Sequence, residues 1–173
     1  MDFYEVLRTR RSVRGYSDKP VADEVLRRVL GAARMAPSAN NKQPWHFILV
    51  RQAARRARLA ELCSGQSFVG EAPVVVVFAG KRYVDPYTWI HDNMFLVDVT
   101  IAVDHFTLAA RAEGLGTCWI GAFEKEGVQR FCALPALVEP IMISPLGYPS
   151  SSKAFHETTG RKALENLIHE ETF

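Results

Sequence analysis

Arg10, Arg11, Ser12 and Arg14 put three guanidinium groups and a hydroxyl within five residues. Guanidinium forks match the oxygens of phosphate and carboxylate, which a point-charge lysine does less well. About one helix length further on come Pro37, Ser38, Ala39, Asn40, Asn41, Lys42, Gln43, Pro44 and Trp45. Uncharged amides and hydroxyls dominate this stretch, and such groups read the edge of a heteroaromatic ring rather than a phosphate. Together the two segments point to a phosphorylated, planar, hydrogen-bonding cofactor. Each alone has a plainer reading, since short basic runs commonly form solvated faces and Pro/Asn stretches commonly form turns.

Other chemistries find less support. Cys63, Cys118 and Cys132 are odd in number and widely spaced, without a C-x-x-C pair, which argues against a disulfide framework and a zinc site. His46, His91, His105, His156 and His169 are equally scattered, so no metal site is expected. The net charge is +2, with basic residues spread among acidic ones, and no nucleic-acid partner is expected. The Arg51, Arg55, Arg56 and Arg58 group reads as the solvated face of a short helix. The apolar runs at residues 74–79 and within 95–110 are too short or too polar for a membrane span of about 20 residues. Asp2 and Glu5 replace the basic start of a signal peptide. A cytoplasmic protein is expected.

The elements that must position these groups follow from periodicity. With 173 residues and 48% apolar content, residues 1–173 read as one domain able to bury about 70% of its unfolded surface. Asp2 and Glu5 fit a capping box, and Phe3, Val6 and Leu7 share a face, so residues 2–9 form a helix that delivers Arg10 at its end. A second helix spans about 22–35, burying Val25, Leu26, Val29, Leu30 and Ala33, and Pro37 ends it. Residues 46–50 read as a strand, the Arg-rich helix runs to about Cys63, and Pro73 precedes a buried strand at 74–79. Residues 92–113 contain neither glycine nor proline. Phe95, Val99, Ala102, Phe106 and Ala109 recur there at spacings of three and four, predicting a central helix about 33 Å long. Gly114 caps it, and residues 115–121 form a short strand whose glycines let a ligand approach the backbone. A helix near 124–131, a strand near 141–146, a polar loop from Ser150 and a tail from Arg161 complete the chain.

Arg10, Arg11, Ser12, Val13 and Arg14, the 37–45 segment, residues 114–121, Leu146-Gly147-Tyr148-Pro149 and Arg161-Lys162 stand in the order seen in the FMN-dependent nitroreductase family, and the chain resembles that family's compact members over nearly its whole length. The resemblance implies an α+β fold, with a central, mainly antiparallel sheet flanked by helices. It also implies an intertwined homodimer with FMN at the subunit interface. Arg10, Arg11, Ser12, Arg14, Arg161 and Lys162 would hold the flavin. Pro37, Ser38, Ala39, Asn41 and Gln43 would come from the other subunit. Backbone groups of Cys118, Trp119, Ile120 and Gly121 would line the ring, donating an N–H near N5, and Gln66 is a further contact. Where the family commonly has proline after the basic pair, this chain has Ala163.

The function so implied is an FMN oxidoreductase passing hydride from NADH or NADPH to an electron-poor small molecule, a nitroaromatic or quinone, by ping-pong kinetics. The flavin carries the chemistry, so no catalytic side chain is expected. Alternatives on the same scaffold are enone or azole dehydrogenation, dehalogenation and flavin fragmentation, because fold does not settle function. Rivals of another class are a non-catalytic flavin-binding protein and a plain structural module. Cys118 and the tryptophans Trp45 and Trp119 read as packing residues, Asp98 as either an ordinary helix position or an arginine partner, and Tyr83, Tyr87 and Trp89 as loop anchors or the substrate mouth.

Overall fold

The computed structural model describes residues 1–83 and 93–173. Helix α1 (Phe3–Thr9) starts where the Asp2 carboxylate accepts the Glu5 N–H at 2.9 Å, the cap that the sequence predicts. Of its apolar residues only Val6 is buried; Phe3, Tyr4 and Leu7 face outward. Arg10 follows in an extended conformation as the C-cap. Helix α2 (Asp23–Arg34) buries Leu26, Val29 and Ala33, with Val25 and Leu30 packed beside them. It lies against the long helix α5 (Met94–Ala112), which buries Phe95, Val99, Ala102, Val103, Phe106 and Ala110. At 19 residues α5 is shorter than expected, about 28 Å; Asp92, the predicted start, lies outside the described residues. Gly114, at φ 75°, closes α5. Its N–H donates to Arg111 O (3.0 Å) and that of Leu115 to Ala110 O (2.8 Å), the paired bonds of a left-handed C-terminal cap.

The sheet has the order β1-β2-β4-β3, every pair antiparallel: β1 (Trp45–Val50), β2 (Val74–Lys81), β4 (Val138–Gly147) and β3 (Gly116–Thr117). Strand β2 is buried on both faces, and alternate side chains serve different cores. Val74, Val76 and Phe78 join α2 and α5. Val75 and Val77 join α3 (Ala53–Leu62), α4 (Phe68–Glu71) and α6 (Lys125–Phe131) through Leu59, Leu62, Cys63, Val69 and Val128. Each such side chain contributes about 1.5–3 kcal/mol over exposure, which makes β2 the rigid spine of the molecule.

Two strands differ from expectation. β4 begins at Val138 rather than 141: a register shift between Phe78 and Ala79 leaves Ile141 without a partner, and the strand continues through Pro140, Glu139 and Val138 opposite Ala79, Gly80 and Lys81. The strand predicted over 115–121 contracts to Gly116 and Thr117. There the chain pairs on its other side with Ser12, and Ile120 returns to the sheet only through a single bridge to Ile143. Residues 160–173 are exposed throughout. Among the described residues no helix is long and apolar enough to cross a membrane, and no cluster of His, Cys, Asp and Glu could hold a metal ion.

Candidate functional site

The arginine segment is fixed by backbone pairing. Ser12 bridges Thr117 in parallel, and the Val13 N–H donates to Thr117 O at 2.8 Å. Val13 is buried against Gly116, where a Cβ would lie 2.7 Å from the valine side chain. Glycine at 116 is therefore required for the segment to approach β3. The Leu146-Gly147-Tyr148-Pro149 motif lies alongside, with Tyr16 bridging Pro149 and the Ser17 N–H donating to Tyr148 O at 2.9 Å. Buried inward, Val13 anchors the segment and leaves Arg10, Arg11, Ser12 and Arg14 at or near the surface.

The opposite wall comes from the polar stretch before the tail. The Thr158 N–H donates to Arg8 O (2.8 Å), and Arg11 Nη1 donates to Thr158 Oγ1 (3.2 Å). Buried Arg111 supports this wall, its guanidinium 4.0 Å from the Phe155 ring centroid and its Nε on Thr9 Oγ1 at 3.0 Å. Between the walls is a cleft of about 440 Å³, lined by Arg10, Arg11, Ser12, Arg14 and Arg161 together with Ala154, His156, Thr158 and Thr159. Among the described residues no carboxylate lines it. Four guanidinium groups and three hydroxyls facing one space make a site for a dianion such as a phosphate monoester. Ala154, His156, Thr158 and Thr159 were not singled out from sequence; their signal was the run of hydroxyls and histidine leading into Arg161.

Cys118 adjoins this cleft but is buried. Burial pushes its thiol pKa up, against the opposing pull of Arg14, Ser12 and Arg10. It is a packing thiol, without the thiolate a nucleophile needs. Its neighbour Tyr16 donates its hydroxyl to Val13 O at 2.7 Å and is likewise raised by burial. Trp119 packs on the α2/α5 core, as does Trp45. The Ile120 N–H is committed to Ile143 O at 2.9 Å, whereas Gly121 is exposed with open space around its Cα.

Residues 37–43 form a second, separate construction around a 3₁₀ turn (Ala39–Asn41). The Ala39 N–H is shared between the two carboxylate oxygens of Asp98, at 3.2 and 3.3 Å, and the Tyr83 hydroxyl donates to the same carboxylate. Asp98 is buried on α5, and within the chain its carboxylate holds the turn. Ser38 Oγ accepts the Gln43 N–H (2.9 Å), and Gln43 Nε2 donates to Asn41 Oδ1 (3.1 Å). Asn40, Asn41 and Gln43 adopt φ of 49°, 55° and 49°. Asparagine tolerates this left-handed region, glutamine less so, and these bonds hold Gln43 there.

No residue of this turn lines the arginine cleft. One chain thus carries two complementary pieces, a phosphate-suited cleft and an amide-rich turn. Gln66 donates its amide to Cys63 O at 2.9 Å and Lys162 lies on the exposed tail; neither lines the cleft. Tyr87 and Trp89 lie outside the described residues.

The fold is that of a known class of oxidoreductase. Residues 7–82 and 63–148 match the model of the Nitroreductase family, and the chain belongs to that family. A relative in Archaeoglobus fulgidus, bearing the provisional name NADH dehydrogenase/NAD(P)H nitroreductase, is 32% identical over 161 residues, 91% of each chain. The FMN reductase (NAD(P)H) of Bacillus subtilis is 31% identical over 94% of this chain and 71% of its own length. In structure, a nitroreductase family protein from Clostridium novyi NT superposes with a TM-score of 0.81 at 28% identity, covering 88% of this chain and 87% of that one.

Proposed function

We propose that the chain, as one domain over residues 1–173, is an FMN-dependent oxidoreductase that takes hydride from NADH or NADPH and passes it to an electron-poor small molecule such as a nitroaromatic or quinone. The observation that carries this reading is the cleft walled by Arg10, Arg11, Arg14 and Arg161 with no carboxylate in its lining. Bound there, FMN would supply the hydride-accepting and hydride-donating centre. Arg10, Arg11, Ser12, Arg14 and Arg161 would hold its phosphate, with Lys162 beside them on the exposed tail. Backbone groups of Cys118, Trp119, Ile120 and Gly121 would line the ring, with the exposed Gly121 N–H open to it and Gln66 as a more distant neighbour. Buried, protonated Cys118 leaves the site without a competing nucleophile.

The ring edge is read by Pro37, Ser38, Ala39, Asn41 and Gln43 of a second copy, because the turn and the cleft do not meet within one chain. A homodimer also accounts for apolar side chains that one copy leaves in water: Phe3 and Tyr4 on α1, and Leu164, Leu167, Ile168 and Phe173 on the tail. Such an interface buries roughly 2,000–5,000 Å². The protein works in the cytoplasm on small molecules, without nucleic acid or membrane partners. Donor and acceptor use the same ring face in turn, giving ping-pong kinetics. Initial-rate lines that stay parallel across acceptor concentrations support this; lines that intersect refute shared use of the face.

A further inference from the structure

A second cleft, of about 420 Å³, adjoins the amide-rich turn and is lined by Lys42, Gln43, Pro44, His46, Lys81, Arg82 and Tyr83. It differs in make-up from the arginine cleft. Pro44 and the Tyr83 ring give it apolar walls, and its cations are mainly lysines. The backbone draws these groups together. The Lys81 N–H donates to Pro44 O at 2.9 Å, and Trp45 pairs with Gly80 where β1 meets β2. The Tyr83 hydroxyl is fixed on Asp98, and the Lys42 ammonium lies 5.8 Å from the Tyr83 ring centroid. Arg82 is held through Nε by Glu139, which Lys125 also contacts, so that carboxylate is shared between two cations. Lys81 is exposed and makes no ion pair among the described residues.

We infer that this cleft binds a phosphate of the nicotinamide donor, with Lys81 as its principal cation. The inference rests on the function proposed above. In that reaction the donor always carries phosphate, whereas nitroaromatics and quinones need carry no charge. Gln43 belongs both to the ring-reading turn and to the cleft lining, so a molecule lying on the ring can continue into the cleft without leaving the protein surface. Tyr83 and Pro44 offer a flat apolar wall to a ribose or base, while Lys42, Lys81 and Arg82 offer the charge. A volume of this size lies within the range of small-molecule sites.

The test titrates the FMN-loaded protein with 2′,5′-ADP, ADP and adenosine by calorimetry, and measures KM and kcat for NADPH and NADH in wild type, Lys81→Arg, Lys81→Ala and Lys81→Glu. Both nucleotide phosphates should bind more tightly than adenosine. Lys81→Glu should weaken binding and raise the donor KM about tenfold or more, with kcat at saturating donor little changed and Lys81→Arg close to wild type. Weakening confined to 2′,5′-ADP and NADPH assigns the cleft to the 2′-phosphate; equal weakening for ADP and NADH assigns it to the diphosphate. Unchanged affinities and KM in a Lys81→Glu protein that retains its flavin overturn the inference. A wild-type protein that binds 2′,5′-ADP but no FMN upholds the cleft as a nucleotide site and refutes the flavin reading instead.

Discussion

Replacing Asp98 probes the link between the core and the amide-rich turn most directly. The buried carboxylate accepts the Ala39 N–H over both oxygens and the Tyr83 hydroxyl. Hydrogen bonds to a charged group are worth about 1.5–3 kcal/mol each. Asp98→Ala removes both, strands the Ala39 N–H and leaves a void, so the loss of stability should be about 3–5 kcal/mol. Asp98→Asn keeps the shape and one acceptor, and Tyr83 can rotate its hydroxyl, so about 1–3 kcal/mol is expected. The Tyr83 hydroxyl, raised by burial and by Asp98, remains a proton donor throughout the neutral range, so pH does not compete with the substitution. Urea unfolding of the FMN-free protein gives the stability, and fluorescence titration gives FMN affinity. Asp98→Asn should weaken FMN binding by about tenfold, because the turn that reads the ring loses its anchor while the arginine cleft stays intact. Asp98→Asn with wild-type stability and wild-type affinity would refute the assignment of Asp98 as the holder of the turn.

Four further outcomes are expected. Arg10→Ala with Arg14→Ala should lower FMN affinity by at least about a hundredfold, from two lost charge-assisted bonds, and make the residual binding less sensitive to salt; equilibrium dialysis at two salt concentrations checks both. Gly116→Ala drives a Cβ to 2.7 Å from Val13 and should cost about 1–3 kcal/mol in urea unfolding, together with weaker FMN binding as the arginine segment is pushed off β3. Burial raises the Cys63 thiol to about 12 from 9.0. Protonated in the fold and ionised in the unfolded chain over that interval, it makes stability full below about pH 9 and falling as pH rises towards 12; Cys63→Ala should flatten that alkaline decline, and alkylation of native protein at pH 8 should spare Cys63. Sedimentation at micromolar concentration should show twice the 19.4 kDa chain mass, and a species of 19.4 kDa alone contradicts a site shared between two copies.

Helices α2 and α5 were legible because their apolar residues recur at three and four, and β2 because its apolar run is bounded by Pro73 and Lys81. The arginine segment was legible by residue type alone, whereas Arg161, which only the family resemblance implied, meets it on the same cleft from the far end of the chain. Other features depend on contacts that local pattern does not encode. β4 carries Pro140 and Pro145 within its length, and only its pairing against β2 shows that the strand runs on through both. Residues 115–121 read as a glycine-flanked strand, yet the ladder with β4 stops at Gly116 and Thr117, and Thr117 meets Ser12 and Val13 on its other side. Residues 154–159 have no apolar periodicity, and their role as a wall appears only once Thr158 meets Arg8 and Arg11. Asp98 reaches Ala39 across 59 positions of sequence, a distance over which an isolated carboxylate on a helix gives no sign of its partner.

The central claim is that this chain holds FMN and reduces it with a nicotinamide donor. The most direct measurement is the absorbance spectrum of protein saturated with FMN and freed of excess, recorded before and after anaerobic addition of NADPH and, separately, NADH. Protein-bound visible flavin bands should bleach with at least one donor and return when a quinone is added. Protein that emerges without flavin, or flavin that stays oxidised with both donors, contradicts it.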